Sequence, residues 1–184
     1  MLTTLQKVKY FLDIDFSDTS EDWFLQELIA QVDDTIEMYC NRKFKKAIYK
    51  EEVKGYETLW VKNTPIHDVL ELAGEDNEDI NCRFTDDKIL IKRNKNVTIT
   101  GGVTPITPII KSYFVTYEGG YEIVPAVLSK VATEMVAIAF EEARNQTISV
   151  KSRSEGSVNQ TFIDKVAIQD RHKDILDNYK IMHI

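Results

Sequence analysis

The chain has 184 residues, 43% of them hydrophobic and 29% charged, and a formal net charge of −7. That is the composition of a soluble globular protein, long enough for one domain with a sizeable core. No apolar run reaches the roughly 18 residues of a membrane span, and the opening "MLTTLQKVKYFLDID" lacks a signal-peptide block, so the expectation is synthesis in the cytoplasm and no membrane.

In chain order, a short helix is expected to begin after Thr3 or Thr4, with Leu5, Val8 and Leu12 on one face. The acid-rich "DIDFSDTSEDW" interrupts it. A second helix is expected to start at a capping box of Thr19 and Asp22 and to place Leu25, Leu28, Ile29, Val32, Ile36 and Tyr39 at helical spacing. Asn41, followed by Arg42 and Lys43, suits its C-terminal stop. From Lys45 to Glu118 the pattern changes to short segments rich in β-branched and aromatic residues, such as "YKEEVKGYETLWV", "KILIK" and "SYFVTYE". Turn-forming stretches such as "AGEDNED" and "GGVTPITP" separate them, which predicts a small, mainly antiparallel β unit. Val124 to Arg144 is apolar around most of a helical circumference and predicts a buried core helix. Residues 147–163 read as a hairpin arm with Gly156 at its turn, and "DRHKDILDNYKIM" as a short final helix. The fold class is therefore α+β, a single domain over 1–184. About four helices form its core, a β-rich insert (45–118) lies between helices 2 and 3, and a hairpin lies near the C-terminus.

Groups able to converge for catalysis are scarce. His67, His172 and His183 lack the i, i+4 pairing of a helical metal site and stand near no cysteine. Cys40 and Cys82 are far apart and read as reduced, packed thiols. Asp13, Asp15 and Ser17 imitate the start of a calcium loop, but Asp18 stands where the turn needs glycine and Phe24 where a bidentate Glu is required. No catalytic residue, metal site or cofactor is assigned, and the expectation is that the chain is not an enzyme.

Two features invite a ligand. "RKFKKAIYK" (42–50) places five cations around Phe44 and Tyr49, which could neutralise phosphates and stack a base. The alternative is a set of cations stabilising a helix C-terminus. Gly119-Gly120 turns a strand into a helix, the position of many phosphate cradles. Yet Tyr121, Glu122, Ile123 and Val124 offer no cation, and Pro125 suits a helix start. Gly119, Gly120, Tyr121 and Pro125 therefore read as a structural elbow.

Charge alternates along the chain. Residues 1–41 carry nine acids and two lysines, 42–50 five cations and no acid, and 51–91 a net −7. Such alternation suits docking surfaces that meet complementary patches. The ordered set of "FLQELIAQVDDTIEMYCNRKF", "TLWVKNTPIHDVLEL", "VTYEGGYEIVPAVLSKVATEMVAIAFEEARNQ" and "ILDNYK" resembles the head-tail connector (adaptor, or head-completion) proteins of tailed bacteriophages, over nearly the whole chain. The resemblance implies a structural virion protein in the neck, at the head-tail interface. Such a protein forms a ring, commonly of 12 subunits, on the portal protein. It extends the DNA channel, lets DNA pass without specific binding, and offers a platform to the stopper or tail-completion protein. It also points to Arg153, Phe162, Tyr179 and Lys180 as portal or subunit contacts. A stopper or tail-completion protein of the same neck, or a nucleic-acid-binding module using 42–50, are the alternatives.

Overall fold

A computed structural model describes residues 1–74, 80–92, 110–151 and 167–181, with only the backbone over 146–151. Its elements are α1 (Leu5–Phe11), α2 (Asp22–Cys40), β1 (Ala47–Gly55), β2 (Thr58–Trp60), β3 (Ile66–Gly74), β4 (Cys82–Phe84), β5 (Lys88–Ile91), β6 (Lys111–Gly119), α3 (Ala126–Lys151) and α4 (Asp170–Leu176), with a 3-10 turn at Asp177–Tyr179. The described residues thus form four α-helices and two small antiparallel sheets, the α+β class expected. They fall into two compact units, 1–42 with 123–184, and Lys43–Glu122.

In the first unit α2 packs on α3, and α1 and α4 pack against both. Thr4 caps α1, its hydroxyl accepting from the Lys7 amide at 3.4 Å. The apolar stripe of α2 is buried as its spacing requires: Leu25, Leu28, Ile29, Val32, Ile36 and Cys40 are at most 2% exposed. From α3, Leu128, Val131, Ala132, Met135, Val136, Ala139 and Phe140 are buried. Asn41 ends α2 in the left-handed conformation (φ 54°, ψ 38°), and the Arg42 amide donates back to the Glu37 carbonyl at 3.1 Å. That is the helix stop expected there.

Two local expectations are corrected. The capping box of Thr19 and Asp22 does not form: Glu21 occupies the N-cap with no side-chain hydrogen bond. The Asp22 carboxylate instead forms an ion pair with Lys9, whose side chain is only 3% exposed. A buried ammonium needs an anion more than a helix start needs a side-chain cap. Residues 147–151 belong to α3, not to a hairpin. Thr147, Ile148 and Val150 suggest a strand, but no Gly or Pro stops the helix after Arg144, and each further residue adds a hydrogen bond at little cost. The rest of the expected hairpin, 152–163, lies outside the described residues.

The second unit is two three-stranded sheets, ordered β1-β6-β3 and β2-β5-β4. Both contribute to one core of Val53, Leu59, Val61, Ile66, Leu72, Ile89, Tyr113, Val115 and Tyr117. Along β6, Tyr113, Val115 and Tyr117 turn inward and Phe114 outward, the two-residue alternation of a half-buried strand. β1 pairs with β6 in unbroken register from Ala47↔Gly119 to Gly55↔Lys111, whereas β3 pairs with its other side through two irregularities, at Ile66/Asp68 and Val69/Glu71.

A polar network closes one side of this core. The Tyr117 hydroxyl donates to Glu51 and accepts from the Asn63 amide at 3.0 Å. The Asn63 side chain donates to Glu51 at 3.0 Å and accepts from the Lys43 amide at 2.6 Å. Burial, and then the hydrogen bond to Glu51, push the Tyr117 phenol well above its ordinary pKa.

Candidate functional site

The twin glycines sit where nothing larger fits. A Cβ on Gly119 would collide with the Asn63 carbonyl and come within 2.7 Å of the Tyr117 ring. Gly120 has φ +93°, and a Cβ there would lie 2.5 Å from the Lys45 carbonyl oxygen. The amides that a phosphate cradle would aim outward are already committed. Gly120 donates to the Pro65 carbonyl at 3.0 Å and Tyr121 to the Phe44 carbonyl at 2.7 Å. The Gly120 carbonyl is in turn 2.7 Å from His67 Nε2, and the Tyr121 ring stacks on Phe44 at 6.4 Å. The Pro125 carbonyl accepts the first hydrogen bond of α3, from Ser129 at 3.0 Å. This corner holds protein to protein.

The basic stretch loses its stacking groups in the same way. Phe44 is fully buried, Arg42 is buried, and the Tyr49 ring leans on Tyr117 at 5.9 Å. Lys46 pairs with Glu118 at 3.5 Å, while Lys45 and Lys50 stand exposed. What remains is a cationic surface without an exposed aromatic of its own, poorly suited to gripping a single-stranded base.

Of the contact residues implied by resemblance, Arg153 and Phe162 lie outside the described residues. Tyr179 and Lys180 follow α4. The Lys180 ammonium lies 4.6 Å from the Tyr39 ring centroid, and Tyr39 donates its hydroxyl to Asp177 at 2.7 Å. That hydrogen bond, before any other cause, pushes the Tyr39 pKa up to about 12. The Ile181 amide donates to the Cys40 carbonyl at 3.0 Å. These contacts fasten the C-terminal turn to α2. His172 is buried on α4 with Nε2 3.3 Å from Glu134, and among the described residues no three His, Cys, Asp or Glu side chains gather as a metal site would need.

Sequence periodicity missed one feature. The end of α1 and the loop after it expose Tyr10, Phe11 and Phe16, which line an open groove with Asp13, Ile14 and Asp15. Asp15 uses its carboxylate within its own turn. It accepts from the Ser17 amide at 2.7 Å and the Ser17 hydroxyl at 2.6 Å, and these bonds hold its carboxyl below the usual range. The available signal was the density of aromatics among carboxylates in "YFLDIDF", a pattern that neither helix nor strand spacing explains.

Among the described residues, the polar groups of the elbow and of the C-terminal turn are committed to the protein's own contacts, and the exposed patches are aromatic, acidic or cationic. Residues 2–90 match the model of the phage gp6-like head-tail connector protein family. The resemblance read from the sequence is borne out by that match. Comparison with curated proteins gave no match. Among solved structures, the fold is similar to a chain of the neck of an empty gene transfer agent particle, computed with C6 symmetry. The TM-score is 0.57 and the identity 11%, over 100% of this chain and 91% of that one. It is also similar to a chain of the virion of the native gene transfer agent particle, with a TM-score of 0.54 and 13% identity, over 97% of this chain and 89% of that one. At such identities the likeness is one of fold.

Proposed function

We infer that the chain is a structural connector of the virion neck, assembling as a ring at the head-tail junction of a phage-like particle. The observation that carries this reading is the family match over residues 2–90. The shared fold with chains of a neck and a virion supports it. In this reading the ring sits on the portal protein, continues the DNA channel and offers a platform to the stopper or tail-completion protein. No step of catalysis is assigned to it.

Electrostatics favour such a conduit. Every phosphate a protein neutralises releases counterions and adds affinity, so a channel that must let duplex DNA move benefits from not gripping it. A chain of net charge −7 repeated around a ring repels the duplex. The test is to mix purified chain with isolated portal rings and image the product. A ring of added density at one end of the portal is expected. Portals that stay bare at saturating chain would remove the connector reading, and tight binding of free duplex at physiological salt would remove the passive-channel part of it.

A further inference from the structure

Four large aromatic side chains are exposed between residues 10 and 23. Tyr10 is 80% exposed, Phe11 55%, Phe16 59% and Trp23 73%. Single exposed apolar residues are ordinary, but three of these share the groove described above, and Tyr and Trp are the residues enriched at interface centres. The groove is held in shape. Lys9 ties α1 to the following loop through the Asp18 carbonyl at 2.6 Å and to α2 through Asp22. Hydrogen bonds from the Ser20 hydroxyl and then from its amide, the latter at 3.0 Å, keep the Asp18 carboxyl below the usual range, as Ser17 does for Asp15. The groove therefore presents aromatic faces beside the Asp15 carboxylate, whose hydrogen bonds from Ser17 favour its ionised form, and both attract cations.

The chemistry that fits is a short extended segment bearing lysines and an apolar side chain. This chain exposes one. β1 is an edge strand of its sheet. Ile48 is 62% exposed on it, flanked by exposed Lys45 and Lys50, while Tyr49 and Val53 pack toward the core. Residues 1–41 hold nine acids against two lysines and 42–50 five cations against none, so the two surfaces are opposite in sign. We propose that the Tyr10–Phe16 groove of one copy receives the Lys45–Lys50 stretch of a second copy. The inference rests on the connector reading and supplies its subunit interface. The two patches differ, so the contact is heterologous, and a repeated heterologous contact closes into a ring when its rotation allows.

The experiment uses an equal mixture of unlabelled and 15N-labelled full chain at low salt, coupled by a zero-length carboxylate-to-amine reagent and read by mass spectrometry. Mixed-isotope peptide pairs joining Asp13 or Asp15 to Lys45 or Lys50 are expected, fading as salt rises. Asp13→Lys with Asp15→Lys should weaken self-association about tenfold, as should Lys45→Glu with Lys50→Glu. Mixing the two reversed variants should restore it, because each then offers the other an opposite charge at both patches. That rescue also excludes misfolding as the cause of the loss. Mixed-isotope pairs that join other segments, reversed variants that associate as the parent does, or no mixed-isotope pairs at any concentration would each overturn the interface. Portal imaging is unaffected by that outcome: added density on the portal without these cross-links sinks the interface and leaves the connector, and the converse result sinks the connector.

Discussion

Tyr117→Phe removes one oxygen atom from the β unit and leaves its core shape intact. The hydroxyl donates to Glu51 and accepts from the Asn63 amide, and both Tyr117 and Asn63 are buried. In the variant, Glu51 keeps the Asn63 side chain and the Lys62 amide, at 3.0 and 3.2 Å, so the carboxylate stays largely satisfied. The Asn63 amide does not, and a buried donor left unpaired costs about 1–3 kcal/mol. With the lost bond to a carboxylate included, the expected destabilisation is about 2–3 kcal/mol. The chain has two tryptophans, Trp23 in the helical unit and Trp60 in the β unit, so a Trp23→Phe background isolates a signal from the unit that carries the change. Urea unfolding followed at Trp60 should shift its midpoint down. The pH dependence has a definite sign. A phenol whose folded pKa is raised gives stability that is whole below the unfolded value of about 10 and is lost as pH climbs beyond it. The parent should therefore weaken above about pH 10, and Tyr117→Phe should flatten that slope. A midpoint within error of the parent at neutral pH would show that the network contributes nothing and that the energetic reasoning is wrong.

Three further outcomes are expected. Gly120→Ala should destabilise the β unit by at least about 1–2 kcal/mol, because a side chain at φ +93° is strained and its Cβ meets the Lys45 carbonyl; a neutral result in the same unfolding assay would refute that reading of the elbow. Lys9→Ala should cost about 3–5 kcal/mol by leaving the Asp22 carboxylate beside a cavity, and Lys9→Met less than that, both measured by thermal unfolding of the helical unit. Burial pushes the Cys40 thiol up to about 11, so at pH 8 about a thousandth of it is thiolate; it should resist alkylation in native buffer and react once urea unfolds the helices, with native labelling as fast as unfolded labelling counting against its burial.

Periodic and steric signals in the sequence were reliable. The stripe from Leu25 to Ile36, the left-handed stop at Asn41 and the all-round apolar α3 are consequences of spacing and of one residue's tolerance for φ > 0, and each can be read locally. Where a side chain had two uses, local reading failed. Asp22 looks like a capping residue until Lys9 is seen buried beside it, and nothing within one helical turn reveals that partner. Phe44 and Tyr49 look like a base-stacking pair among lysines until the sheet turns Phe44 inward onto Tyr121. The groove at Tyr10, Phe11 and Phe16 was illegible for the opposite reason: exposed aromatics break the in-or-out pattern that makes sequence informative, so they register as noise.

The clasp at the elbow has a consequence for how such a chain can vary. Where the β unit begins, Phe44 and Lys46 exchange backbone hydrogen bonds with Tyr121, where it ends, and Lys45 bridges Tyr121 as a short parallel pair. The unit thus enters and leaves through a single knotted hem, with its own polar network and its own core just beyond. A segment bound off in this way can be lengthened, trimmed or exchanged inside the hem while the stitches at its mouth stay the same. Chains of this fold could thus present different surfaces by recutting this panel.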